Sequence, residues 1–333
     1  MRIGFLGVGR IGQAHAEVVH RHPEVEDLVL ADAAPGRAEE VAAAMGCRAA
    51  ANVDAVIAGG VDALVIATAT HTHADLIVAG ARAGLPVFCE KPVALDVPES
   101  RRVADEVARA GVEVQIGFQR RYDAGYRAAR QALRDGRIGE LHRAHMVTGD
   151  DKPPHPAYLP TSGGLYRDCH IHDFDILRWV TGREVVDVTA LGANRGAAFF
   201  READDIDTAA ALLRLDDDTL VTLQGSRYNG AGHDVRLELA GTAGTWVVGL
   251  SDKSPLTSAE EGVDWPSGQP WVNYWERFTP AYAAEMDAFI DVVKGLTPSP
   301  CTVEEALAAL YVAEAADTSM RENRRVEVAE VSK

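Results

Sequence analysis

The sequence is short of cysteine, of basic residues and of long apolar runs, and each shortage removes a class of protein. Its four cysteines (Cys47, Cys89, Cys169, Cys301) are scattered over 333 residues with no CxxC pair. That pattern argues against a disulfide framework or a zinc ribbon. Lysine and arginine total 33 against 50 acids, a formal charge of −17. Surplus acid repels phosphate backbones, so nucleic acid is not an expected partner. No apolar run reaches about 18 residues, so no membrane span is expected. There is no internal repeat and no low-complexity tract. The opening MRIGFLGVGR already reads as strand and turn, with no signal-peptide pattern before it; the expectation is a cytoplasmic protein. What remains is 47% hydrophobic and 25% charged, ordinary for a globular protein with length for two or three domains.

Residues 1–118 alternate strand and helix. Strands are expected at 2–7, 25–32, 61–67, 86–89 and 112–117, and helices at 10–22, 35–45, 74–83 and 98–110. The continuous apolar run VDALVIA marks a buried parallel strand. Repeated βα units predict a parallel α/β sheet of Rossmann type, covered on both faces. From about residue 119 the pattern changes. Strands at 141–148, 185–194, 208–215, 219–228, 235–240 and 245–250 follow one another through polar turns, which predicts an α+β domain with a large, mainly antiparallel open sheet. A helix interrupts it at 169–180, and two more close the chain at 280–294 and 303–321. Residues 119–300 are therefore expected to bind substrate and support oligomerisation. Residues 301–333 are expected to pack back on the first domain.

Gly7-Val8-Gly9-Arg10-Ile11-Gly12 is a GxGxxG directly after the first strand and opening the first helix. Gly7 permits the tight turn, Gly9 the approach of a pyrophosphate, and Gly12 close helix–strand packing. Alone the motif is weak, but Asp32 follows at the end of the second strand. A carboxylate there accepts bonds from both ribose hydroxyls and repels a 2′-phosphate, which predicts NAD over NADP. Thr68, Thr70, His71 and His73 follow the most apolar strand, at the carboxyl edge where cofactors lie; His73 could equally cap the next helix. Glu90-Lys91-Pro92 lies at the same edge. Lys91 could stabilise a substrate alkoxide, and from position alone a surface lysine is an equal reading. Asp168 and His172 stand four apart and would share a helix face, a carboxylate orienting an imidazole for general-base work. An N-cap aspartate beside a buried histidine is the alternative.

In order, GVGRIG, Asp32, ATATHTH, FCEKP, IGFQRRYDAGY and DCHIHDFD resemble the Gfo/Idh/MocA oxidoreductase family, and most nearly its inositol 2-dehydrogenase branch. The resemblance covers nearly the whole chain. It implies an NAD-dependent dehydrogenase that oxidises a ring secondary alcohol, with no metal. It implies that Lys91, Asp168 and His172 are catalytic, that Glu90 and Lys91 border the cofactor, and that the bond before Pro92 is cis. It implies substrate contacts from Lys91, Arg120, Asp168, His172 and Tyr282, and assembly as a dimer or tetramer. Two segments depart from that branch: TGDDKPPHP, and NGAGHD, which carries Ala231 and His233. His233 is therefore a further substrate candidate, and a sugar is the alternative substrate. Zinc chemistry at His71, His73, Cys169, His170 and His172, a non-catalytic dinucleotide-binding regulator, and an NAD-using glycoside hydrolase are the remaining readings.

Overall fold

The computed structural model describes residues 1–332. The chain divides into two compact units, 1–119 with 280–308, and 120–279 with the segment from 309 onward.

The first unit alternates β1 (Arg2–Leu6), α1 (Arg10–Arg21), β2 (Asp27–Ala31), α2 (Arg37–Met45), β3 (Arg48–Ala49), α3 (Val53–Ala58), β4 (Ala63–Ile66), α4 (His73–Arg82), β5 (Val87–Glu90), α5 (Val97–Ala110) and β6 (Val114–Gly117). The six strands are all parallel in the order β3-β2-β1-β4-β5-β6. The order reverses between β1 and β4, and in such sheets the crevice beyond the strand ends at that reversal is where ligands bind. Several expected elements are shorter by one to three residues, and β3 and α3 are additions too brief to show a periodicity. Ile3, Phe5, Leu28, Leu30, Val65 and Phe88 form the core, completed by Met286, Phe289 and Val292 from near the end of the chain.

The second unit begins with α6 (Ala124–Arg134) and β7 (Leu141–Gly149). Three helices follow, α7 (Leu159–Ser162), α8 (Leu165–Asp168) and α9 (Ile171–Thr181). Then come β8 (Val185–Ala193), α10 (Phe199–Glu202), β9 (Thr208–Leu215), β10 (Leu220–Ser226), β11 (Asp234–Gly241) and β12 (Thr245–Val248). The chain ends with α11 (Tyr274–Val293), α12 (Val303–Glu322), β13 (Val326–Glu327) and α13 (Val328–Val331). The sheet order is β12-β11-β7-β10-β9-β8-β13. Only β7 and β10 pair in parallel; the other neighbours are antiparallel.

Three expectations need correction. The interrupting helix is not continuous from 169: α8 ends at Asp168 and α9 starts at Ile171. The helix expected from Pro280 starts six residues earlier, at Tyr274, and runs through the proline, which forgoes one backbone hydrogen bond. The C-terminal segment is shared between the units, because β13 pairs with β8 through Val326 and Val188, and Ser319 Oγ accepts from the Ala190 amide at 2.9 Å. The sheet has two faces of different character. One is lined by Val188, Ala211, Leu213, Val221 and Leu223, all buried. The other, within this one chain, exposes Leu191, Leu212 and Leu220 by 61, 60 and 62%.

Candidate active site

In the first unit the glycine turn is built as its spacing required. Gly7 has φ +87°, and a Cβ there would lie 2.7 Å from the Ala67 carbonyl oxygen, so the turn after β1 touches the chain leaving β4. A Cβ on Gly12 would collide with the Gly7 carbonyl, so α1 can seat on β1 only with glycine. An added Cβ on Gly9 meets nothing within 4 Å, and Gly9 caps α1 without a side-chain bond. The first-turn amides of a 12-residue helix, with its dipole, therefore face open space, with Arg10 and Ile11 in that turn; this suits a pyrophosphate. Asp32 Oδ2 accepts from the Val8 amide and Oδ1 from the Ala34 amide, each at 2.8 Å. The carboxylate is fixed beside the glycine turn, with lone pairs left for ribose hydroxyls. Arg37, the nearest cation after Asp32, is engaged by Glu40 and Gln13. These residues fit NAD.

The other predicted cofactor residues divide. Thr68 and Thr72 share a hydroxyl bond at 2.7 Å. Thr70 and His71 lie in a short turn before α4, and His71 is exposed. His73 is buried, with Nδ1 2.7 Å from the Pro92 carbonyl and Nε2 3.1 Å from that of Thr68. Burial lowers its pKa. It ties the loop after β4 to the loop after β5, a tether within the protein. The Lys91–Pro92 bond is cis. Glu90 turns its carboxylate to His15, at 2.7 Å from Nε2. His15, Glu90 and Glu285 bring ligand-competent atoms within 4.8 Å of one another. Two ligands of one zinc ion stand about 3.3 Å apart given Zn–ligand distances of ~2.0–2.1 Å. The 2.7 Å contact between His15 and Glu90 is therefore read as a hydrogen bond, with the buried Glu285 carboxylate close by. Tyr282 joins it, edge-on to His15 with 5.4 Å between ring centroids and its hydroxyl accepting from Gln119 at 3.1 Å.

In the second unit Asp168 closes α8 and His172 lies in the first turn of α9. Asp168 Oδ2 accepts from Arg227 Nη2 at 2.5 Å, and Oδ1 from the Tyr158 hydroxyl at 2.8 Å. Arg227 Nη1 also reaches Asp150 Oδ2 at 3.2 Å and Cys169 Sγ at 2.7 Å. Burial opposes the charge on Arg227, but Cys169, Asp168 and Asp150 outweigh it and raise its pKa well above the ordinary value. Burial likewise pushes Asp150 up, yet His233 and Arg227 leave it below the usual carboxylate range. The arrangement fixes the Asp168 carboxylate by an ion pair and a hydroxyl bond, just before the turn that carries His172. Arg227, Asp150 and Tyr158 were missed in the sequence. A signal existed for Arg227: Val221, Leu223, Gly225 and Arg227 continue one inward parity along β10, and a charge at an inward position needs partners.

Arg120, expected at the substrate, is buried in a different network. Its Nη1 donates to Asp173 Oδ1 at 2.5 Å and its Nη2 to Thr148 Oγ1 at 3.2 Å, while His170 Nδ1 lies 2.8 Å from Asp173 Oδ2. Burial would raise the Asp173 pKa; Arg120 and His170 overcome it and hold the carboxyl well below its ordinary value. Arg121 pairs with Asp175 in the same way. These pairs fasten the start of α9. His170 is thereby a structural residue, and a zinc reading of the CHIH run has no support from its geometry.

Comparison with known proteins agrees with this architecture. Residues 1–118 match the oxidoreductase family with an NAD-binding Rossmann fold, and residues 126–247 match the GFO/IDH/MocA C-terminal domain. The chain is 37% identical over 332 residues to inositol 2-dehydrogenase of Rhizobium meliloti (strain 1021), covering 99% of each. A myo-inositol dehydrogenase from Corynebacterium glutamicum superposes with a TM-score of 0.90 at 31% identity, over 98% of both chains. A scyllo-inositol dehydrogenase from Lactobacillus casei, solved with NAD(H) and scyllo-inositol bound, gives 0.87 at 29% identity over 99% of both. With its Rossmann unit, its mixed seven-stranded sheet and this likeness over its full length, the chain belongs to the Gfo/Idh/MocA oxidoreductase family.

Proposed function

We propose that this protein is an NAD-dependent dehydrogenase that oxidises a ring secondary alcohol of a cyclitol, of the myo- or scyllo-inositol type, to the ketone. The observation that carries this reading is Asp168, ion-paired with Arg227 at the end of α8, just before the first turn of α9 that carries His172, in a chain that is similar end to end to an inositol 2-dehydrogenase. His172 takes the hydroxyl proton as general base, and Asp168 favours the imidazolium that results. Lys91 donates to the substrate oxygen and stabilises the alkoxide. Loss of the carbon-bound hydrogen as hydride is the chemistry that nicotinamide supplies. Glycines 7, 9 and 12, Asp32 and the helix α1 amides hold that cofactor.

A sugar substrate is the second reading. It is favoured by the departures from the inositol branch in the segments TGDDKPPHP and NGAGHD, which carry Asp150, Ala231 and His233. The test is NADH formation by purified protein with NAD, or NADP in parallel, over a panel of cyclitols and aldoses. Turnover of myo- or scyllo-inositol with NAD is expected. Turnover of aldoses alone would replace the cyclitol, and a preference for NADP would overturn the role of Asp32. His172→Ala should lower kcat by about 10²–10⁴-fold; an unchanged kcat would assign the base elsewhere.

We also infer that the protein self-associates as a dimer or tetramer through its second-unit sheet. Leu191 pairs across with Ala210, and Thr189 and Thr222 flank Leu212, so the exposed leucines share one face with small and hydroxyl residues. A flat apolar sheet face of this kind is covered by a matching copy more readily than left to water. Light scattering should report an oligomer, and Leu212→Asp a smaller species. No helix among the described residues is long and apolar enough to cross a membrane.

A further inference from the structure

A polar cleft of about 570 Å³ lies in the second unit, between the last turn of α6, the start of β7, the last turn of α9 and the turn joining β9 to β10. It is not the site described above. His172 stands at the start of α9, whereas Val180 and Thr181, at its other end, line the cleft. The eight residues from His172 to Val180 rise about 12 Å along the helix. The volume falls within the range of about 300–1,000 Å³ common to small-molecule sites.

Its lining is basic in a chain of formal charge −17: Arg130, Arg134 and Arg183 all border it. Arg130 and Arg134 stand four apart on α6, a spacing at which like charges repel. The Arg130 guanidinium is laid over the Trp179 ring, 4.0 Å from its centroid. Arg183 Nε pairs with Asp217 Oδ2 at 3.1 Å, so Asp217 answers one guanidinium of the three. Arg134 is exposed, and among the described residues it makes no ion pair. Neither does Glu140, which borders the same cleft. A cation and a carboxylate kept apart in one cleft suit a ligand that carries both an anionic group and hydroxyl donors. The last carbonyls of α9, which have no donor within the helix, add acceptors on that wall.

We propose that this cleft is a second binding site, for the phosphate monoester of a small polyol. The phosphoryl oxygens accept from Arg134 and Arg183, whose planar forks match them. The hydroxyls donate to Glu140 and to the α9 carbonyls. A carboxylate ligand brings one charge and two oxygens. A phosphate monoester brings close to two charges and three oxygens, which is what two separate guanidiniums can use. The site is independent of the reaction proposed above.

The test is calorimetry on protein saturated with NAD, so that the dinucleotide site is filled. The probes are glucose 6-phosphate, glucose and inorganic phosphate. Glucose 6-phosphate should bind once per chain, and more tightly than either of the others. Arg134→Ala should weaken it by about 10–100-fold, the value of a bond to a charged group. Arg134→Lys should recover part, and NAD affinity should stay as in the wild type. Glu140→Gln should bring the affinities for glucose 6-phosphate and inorganic phosphate together. Four outcomes would overturn the proposal. The first is no binding of glucose 6-phosphate at millimolar concentration. The second is equal binding of glucose, which would place the probe in a site that reads only hydroxyls. The third is equal binding of inorganic phosphate by the wild type, which would remove the polyol. The fourth is a lower melting temperature of Arg134→Ala with its affinity intact, which would leave Arg134 as a cation serving the α6 dipole.

Discussion

The two units solve the problem of holding a ligand with different materials. The first uses its main chain: a positive-φ glycine, a helix end and two amides gripping Asp32. The second uses buried charge: Arg227 between two aspartates, Arg120 on Asp173 and Arg121 on Asp175. A main-chain cradle is local, and six consecutive residues specify it. A charge network is not. Arg227 is 59 residues from Asp168 and 77 from Asp150, and Arg120 is 53 from Asp173. The comparison teaches that the cofactor half depends on the absence of side-chain volume at Gly7 and Gly12, whereas the second half depends on the pairing of buried charges.

The strongest way to break that contrast is Arg227→Met. It keeps the bulk and removes the cation, leaving Asp168 and Asp150 facing each other in a largely buried space. Removing one partner of a buried ion pair costs about 3–5 kcal/mol. A falling melting temperature and a large loss in kcat/KM are expected, with NAD affinity by calorimetry unchanged. Arg227→Lys should recover only part, because an ammonium cannot span both carboxylates as the planar fork does. If Arg227→Met were as stable as the wild type, the network would be ornamental and the contrast between the units would fail.

Gly12→Val is the matching change in the first unit, with a smaller expected effect. It adds volume against the Gly7 carbonyl and no charge. Overpacking at such a contact costs about 1–3 kcal/mol, which is roughly 10–100-fold in NAD affinity. All five tryptophans fall between residues 120 and 279, within the second unit. Their fluorescence spectrum should therefore stay as in the wild type while NAD binding weakens. A changed spectrum would mean that damage to the cradle spreads through the chain.

What the sequence disclosed follows the same division. GVGRIG, Asp32 and the alternation of apolar runs with helices are local signals, and the parallel sheet and cradle followed from them. In the second unit the hairpin strands were legible from their alternation, and the fourfold spacing of Asp168 and His172 was visible. The partner of Asp168 was not, because no spacing rule links Tyr158 or Arg227 to it. Arg120 is given to substrate by resemblance; the structure shows it bonded to Asp173, in the same DCHIHDFD run as Asp168, a partner that no spacing rule announces. The run carries charges on a helix that is otherwise apolar all round, and such charges call for buried partners; the QRRY pair just before α6 supplies them. The late helix shows a third case. Its apolar spacing was clear from residue 280 on, but that it completes the first unit's core is a fact of three dimensions.

Acid should expose the contrast most gently. Asp173 and Asp150 have folded pKa values below those of the unfolded chain, near 3.9. Such groups contribute stability that is present above the unfolded pKa and is lost as pH falls through it toward the folded value. Each unit of depression is worth about 1.4 kcal/mol. Urea unfolding followed by tryptophan fluorescence should give a midpoint that is flat from pH 7 to about 5 and then declines toward pH 3. In the first unit the salt-bridged Asp27 and Glu106 belong to partly exposed surface pairs, which contribute little. The second unit, built on buried charge, should thus yield first. A fluorescence midpoint unchanged down to pH 3 would mean that Arg120 and Arg227 do not hold their carboxylates ionised, and it would remove the charge-network half of the comparison.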